Sequence, residues 1–190
     1  MYNGYGRDQL TDVGAQRLGI QVMQAGIVSR GVLVDVPRLK GKPYLELGTA
    51  VTVADIEQWE RERRLRVEPG DVLLIRTGRD ARVAALGPWV LSTGAAGPHP
   101  SLAAWLKSRG VAVLGGDGSN EIYPSVVPGI SDPLHGLALV ALGLPLLDNL
   151  DLEAVAREAA ARGRWTFLFM AAPLRTKGGS GSPLNPLATF

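Results

Sequence analysis

The sequence predicts an α/β domain built from short apolar strands alternating with helices. Three observations predict it. Apolar, often β-branched runs recur at 27–36, 72–75, 111–114 and 165–171, the pattern of strands buried in a sheet. Helical spacing with start and stop signals lies between them, at 52–65, 100–109 and 152–161. The chain is 190 residues, 46% hydrophobic and 20% charged, the size and composition of one folded domain. No internal repeat or low-complexity linker divides it, so residues 1–190 read as a single domain.

In chain order, residues 1–9 are Gly- and Tyr-rich and irregular, and 10–18 suit one or two helical turns, with Thr11 or Asp12 as cap and Gly19 as stop. Run 27–36 predicts a strand buried on both faces, with a kink at Gly31. Residues 37–50 carry Pro37, Gly41, Pro43 and Gly48 and read as loop. Thr52 followed by Asp55 is a capping box, and Ile56, Trp59 and Arg63 continue at helical spacing until the helix fades near Leu65. The cluster Arg61, Glu62, Arg63, Arg64, Arg66 reads as a solvated helix face, with a basic site as the alternative. Glu68-Pro69-Gly70-Asp71 is a turn before strand 72–75, and 79–98 is a long Gly/Pro/Ala-rich connection. A helix at 100–109 ends at Gly110, strand 111–114 follows, and 115–133 is again Gly/Pro-rich. Residues 135–142 suit a short apolar helix and 144–147 a short strand. Helix 152–161 stops at Gly163, strand 165–171 follows, and 173–190 is a Gly/Ser/Pro-rich tail.

Composition excludes several chemistries. There is no cysteine, hence no disulfide scaffold, thiolate nucleophile or Cys-ligated metal. Two histidines, His99 and His135, exclude a three-His metal site within the chain. Twenty basic against 18 acidic residues give a net charge of +2, too little for a nucleic-acid-binding field. No apolar run is long enough for a membrane helix, and the first residues do not form a signal peptide. The expectation is a soluble, cytoplasmic protein with no nucleic-acid or membrane partner.

The glycine clusters at 115–118 and 178–181 match neither the dinucleotide fingerprint nor the P-loop. His135 opens an apolar helix, and Asp148 follows the next strand; fold geometry can bring them together, and imidazole plus carboxylate suits a divalent ion. A satisfied core histidine is the competing reading. Asp117 and Glu121 flank Ser119-Asn120 at a strand's end, where paired carboxylates can serve acid/base or metal chemistry, with Asx-turn and cap chemistry as the competing reading. Arg76 ends a strand and suits either a substrate carboxylate or a buried ion pair. His99 lies between two prolines in an exposed loop. The four tryptophans read as core.

Several stretches in order carry a resemblance: Met1-Tyr2-Asn3-Gly4, run 27–36, 69–78 (PGDVLLIRTG), Gly116-Asp117 with Glu121 and Pro124, His135, 148–152 (DNLDL), and 181–186 (GSPLNP). Together they resemble the metal-dependent cyclase family, which includes bacterial kynurenine formamidase and isatin hydrolase, and its larger cyclase-like members most. The resemblance implies a swivelling β/β/α fold and a homo-oligomer, dimer or tetramer. It implies zinc or manganese activating water to attack an amide, lactam or lactone carbonyl. His135 matches the family's second-half metal-site histidine and is the implied catalytic residue. Asp148 stands where a Glu ligand is usual, so His135 and Asp148 are the implied metal pair; Arg76, Asp117 and Glu121 are pocket candidates. An arylformamidase-like activity on N-formylkynurenine-type substrates, as in tryptophan catabolism, is the first expectation. The family's principal metal motif, H-x-G-T-H-x-D or a Trp-Asp variant, is not in this sequence. The expectation is therefore a C-terminal part of the family's domain, incomplete at its N-terminus, with an uncovered apolar face. The alternative is a non-catalytic truncated remnant or scaffold subunit of the same fold.

Overall fold

A computed structural model describes residues 1–190. Ten strands occur in chain order: β1 (Leu10–Thr11), β2 (Gly14–Ala15), β3 (Ile27–Asp35), β4 (Ala50–Val51), β5 (Val72–Arg76), β6 (Gly97–Pro98), β7 (Val113–Gly116), β8 (Leu146–Leu147), β9 (Thr166–Ala171) and β10 (Leu187–Thr189). The helices are α1 (Val36–Leu39), α2 (Val53–Arg63), α3 (Arg79–Leu86), α4 (Leu102–Arg109), α5 (Pro133–His135) and α6 (Glu153–Arg162), and α5 runs on as a π-helical segment, Gly136–Leu142. A six-stranded sheet has the order β10-β9-β3-β5-β7-β8. Strands β3, β5, β7 and β8 are parallel, while β9 and β10 add on antiparallel. The mixed α/β class agrees with the sequence.

The core is one cluster of 32 buried residues drawn from the sheet and its helices. β5 is buried at every position, as its unbroken apolar run requires. Trp59 of α2 is fully buried, donates from Nε1 to the Leu33 carbonyl at 2.9 Å and meets Trp165 edge-on at 4.7 Å. Arg63 lies over the Trp59 ring at 4.6 Å, so part of the basic cluster stacks on the core edge. The capping box forms as read: the Asp55 amide donates to Thr52 Oγ1 at 3.4 Å, and the Thr52 amide to Asp55 Oδ2 at 2.7 Å. Replacing Thr52 with alanine is expected to destabilise the fold by about 1 kcal/mol, seen as a lower urea midpoint with an unchanged slope.

The structure corrects several expectations. Segment 10–18 is the β1–β2 hairpin, because the Ala15 amide donates to the Gly178 carbonyl at 2.7 Å and the tail holds the segment extended. Segment 79–98 holds α3, whose N-terminal amides donate to Asp117 instead of to a local cap. The tail contributes β10 by pairing with β9. The 37–50 loop is bracketed by α1, capped by Asp35, and by β4, which pairs with β6. His99 is half-buried, its Nδ1 2.8 Å from Ser101 Oγ.

Strand β3 is buried from Gly31 to Asp35, but its first residues are not covered on both faces. Register places Val28 opposite Met170, which also pairs with Leu187, and Leu168 on the same face of β9. Val28, Leu168 and Leu187 are 69%, 44% and 55% exposed. No helix is long and apolar enough to cross a membrane.

Candidate functional site

The parallel strands bring their C-terminal ends to one edge of the sheet. Asp35 ends β3 and pairs in register with Arg76, which ends β5. Asp117 directly follows β7, and Asp148 directly follows β8. Ligands in open α/β sheets bind at this edge. The sequence-predicted residues therefore share one rim, but they divide into three groups.

Arg76 is engaged as a structural ion pair. Its Nη1 donates to Asp35 Oδ1 at 2.9 Å, and Nε and Nη2 donate in parallel to the Glu153 carboxylate, both at 2.9 Å. Asp35 is 2% exposed and Arg76 8%. Burial works against the guanidinium's charge, and the two carboxylates more than reverse it, so its pKa is raised.

Asp117 serves as a cap, one of the two roles left open for it. Its oxygens accept from the Thr77, Gly78 and Arg79 amides and from Thr77 Oγ1, at 2.7–3.1 Å. It thereby fixes the β5–α3 turn. Burial pushes its carboxyl pKa up, against the pull of these donors.

Glu121, His135 and Asp148 converge. Glu121, 1% exposed, accepts from the His135 amide at 2.7 Å and lies 3.0 Å from its Nδ1, both through Oε1. With Nδ1 so engaged, Nε2 is the outward nitrogen, 3.4 Å from Asp148 Oδ2. The imidazole side chain is 27% exposed and Asp148 34%. Asp148 is held in turn by Asn120, whose Nδ2 donates to Asp148 Oδ1 at 2.7 Å and to the Leu147 carbonyl at 3.0 Å. Asn120 has a left-handed φ of 51°, which lets consecutive residues reach Asp148 and His135. Two glycines make room for this loop. A Cβ on Gly97 would lie 2.0 Å from the Glu121 carbonyl oxygen, and one on Gly116 2.7 Å from Asn120 Oδ1. Tyr123 donates to Asp132, tying the same loop to the start of α5. His135 sits where α5 passes into the π-helical segment, a geometry frequent at functional sites.

Hydrogen bonding to Asp148 first, then to Glu121, raises the His135 pKa to about 10, against the opposing effect of burial. A raised pKa on a cationic acid stabilises the fold fully below its unfolded value, near 6.5, and that contribution is lost as pH rises through about 10. Urea unfolding at pH 6 and pH 10 should therefore show a decline that shrinks in His135→Gln; an identical decline in both proteins would contradict it.

Beside this triad is a cavity of about 300 Å³. Its lining includes Thr77, Arg79, Arg82, Trp89 and Leu91, with Gly118, Ser119 and Asn149 from the loops that carry the triad. Ser119 and Asn149 directly neighbour Asn120 and Asp148 in sequence. Sequence reasoning missed Arg79 and Arg82, which lie in the stretch read as a connection, and read Trp89 as core, whereas it is half-buried and lines this cavity. The Arg, Ala and Leu residues that dominate 79–86, all strong helix formers, are the signal that could have marked a helix there.

The family model of the cyclases matches residues 8–120, over half of the chain. The chain belongs to the cyclase family. One cyclase crystal structure is 31% identical, with a TM-score of 0.86 over 100% of this chain and 64% of that one. Isatin hydrolase A from Ralstonia solanacearum is similar at 24% identity and TM-score 0.65, over 85% of this chain and 60% of that one. A protein of Bacillus stearothermophilus described as a predicted metal-dependent hydrolase is 19% identical, with TM-score 0.59 over 85% of this chain and 63% of that one. At these lower identities the likeness concerns the fold. The cyclase chain thus spans less than two thirds of the length of these structures. No curated protein matches it.

The metal that the resemblance implies can be tested against the donors present. No group of three or more His, Asp or Glu side chains converges to hold an ion. The His135–Asp148 edge offers one imidazole nitrogen and one carboxylate, and Glu121 Oε1 is engaged by His135. A catalytic zinc keeps three protein ligands. The residues of this cyclase chain do not by themselves fit a complete metal site.

Proposed function

We propose that this cyclase-family chain carries the catalytic wall of a hydrolase that cleaves the C–N or C–O bond of an amide, lactam or lactone. The observation that carries the reading is the Glu121–His135–Asp148 triad, set on the C-terminal edge of the sheet beside a cavity. Glu121 orients the ring and engages Nδ1. His135 then holds a proton at Nε2, facing Asp148. In hydrolysis of an amide, water forms the new C–O bond and the C–N bond breaks. The Nε2 proton leaves with the nitrogen, and the proton of the attacking water returns to Nε2 through Asp148. Zinc or manganese is the alternative occupant of the His135–Asp148 edge: it would need His135 Nε2 without its proton, together with further donors, and would supply the polarisation of water in place of these proton transfers. Aryl formamides of the N-formylkynurenine type rank first as substrates, and cyclic amides and lactones second. The test is hydrolysis of a formyl anilide by the purified chain, with and without added zinc or manganese. Turnover that depends on His135 supports the reading; no turnover under any metal condition counts against it.

The incomplete donor set favours a second reading, a non-catalytic scaffold subunit of the same fold. Metal analysis separates the two: stoichiometric, tightly held zinc or manganese contradicts the scaffold.

The exposed Val28, Leu168 and Leu187 face also supports homo-oligomerisation. Light scattering coupled to size exclusion is expected to give a dimer or tetramer at micromolar concentration. A stable monomer would show that this face tolerates water.

A further inference from the structure

The cavity beside the triad has a chemistry of its own. Its lining includes two arginines, Arg79 and Arg82, and neither aspartate nor glutamate. Arg82 lies with its guanidinium 4.5 Å from the Trp89 ring centroid, and its Nε is buried without an acceptor. Arg79 has one loose partner, Asp80 at 3.5 Å, with both side chains about two-fifths exposed. The Thr77–Arg79 amides at the start of α3 are already taken by Asp117, so positive charge in the cavity comes from the guanidinium groups. Ser119 Oγ is buried and unpartnered as well. Leu45, Val83 and Leu91 contribute apolar lining.

We propose that this cavity binds a small organic monoanion, a carboxylate on a single-ring or branched apolar body. Arg79 and Arg82 receive the carboxylate, and Trp89 with the aliphatic lining receives the body. A guanidinium fork matches carboxylate geometry. A volume of about 300 Å³ lies at the small end for ligand pockets, which suits one ring. The sequence offered Arg76 as the carboxylate holder, but its donors are engaged by Asp35 and Glu153; α3 supplies the free ones. As a statement about substrate, the assignment rests on the proposed hydrolase reading, since Ser119 and Asn149 lead from the cavity to the triad.

The test is binding, which needs no turnover. Benzoate, its neutral isostere benzamide, and inorganic phosphate are titrated into the full chain, followed by tryptophan fluorescence and calorimetry. Benzoate is expected to bind about tenfold or more tighter than benzamide, and phosphate weakly. Arg82→Gln and Arg79→Gln should each remove most of that preference, with circular dichroism reporting that the variants are folded. Equal affinity for benzoate and benzamide, an unchanged preference in both variants, phosphate binding as tightly as benzoate, or no binding of benzoate would each overturn the proposal. Selective benzoate binding by a chain without hydrolase activity would uphold the pocket and sink the hydrolase reading alone.

Discussion

His135→Ala is expected to lower hydrolysis of a formyl anilide by about 10²–10⁴-fold, the range for loss of a positioned acid/base group. The side chain is partly exposed and its amide hydrogen bond to Glu121 does not need the ring, so the variant should fold. Glu121→Gln should fall between the two. It keeps an oxygen for the His135 amide but loses the charge that sets which ring nitrogen faces outward. Steady-state kinetics on the three proteins checks the order, with circular dichroism as the fold control. Undiminished turnover in His135→Ala would remove this histidine from the mechanism.

The largest expected effect on stability is at Arg76. Arg76→Met keeps most of the volume but strands Asp35, 2% exposed, and leaves Glu153 unpaired. Breaking a buried pair from one side costs about 3–5 kcal/mol, a large share of a domain's total stability. Adding Asp35→Asn should recover part of that loss by neutralising the stranded charge. Urea denaturation of the single and double variants measures both. A loss below about 1 kcal/mol would mean that water reaches Asp35 when the arginine is gone.

Much of the fold was legible because its signals are local. Runs 27–36 and 72–75 became β3 and β5, and Thr52 with Asp55 formed the capping box as read. Other elements were hidden because their partners are distant. The β1–β2 hairpin depends on Gly178, and β10 exists only by pairing with β9. In the site, His135 and Asp148 were legible as a pair separated by one short helix and one strand. In the sequence Asn120 stands out only as a neighbour of the two carboxylates; its left-handed backbone and its bond to Asp148 belong to the folded loop.

The sequence by itself determined the α/β class, the order of strands and helices in the core, the family, and the candidacy of His135 and Asp148. These follow from residue type and short spacing, which apolar burial and local hydrogen bonds translate directly into structure. Only the tertiary structure decided among chemically equivalent roles. Arg76 could hold a substrate or a carboxylate of its own chain, and Glu153, 77 residues away, takes it. Asp117 could be catalytic or a cap, and the start of α3, 38–40 residues before it, takes it as a cap. A charged side chain pairs with whichever opposite group or amide the parallel strand ends bring within reach, and that proximity is set by the register of the sheet.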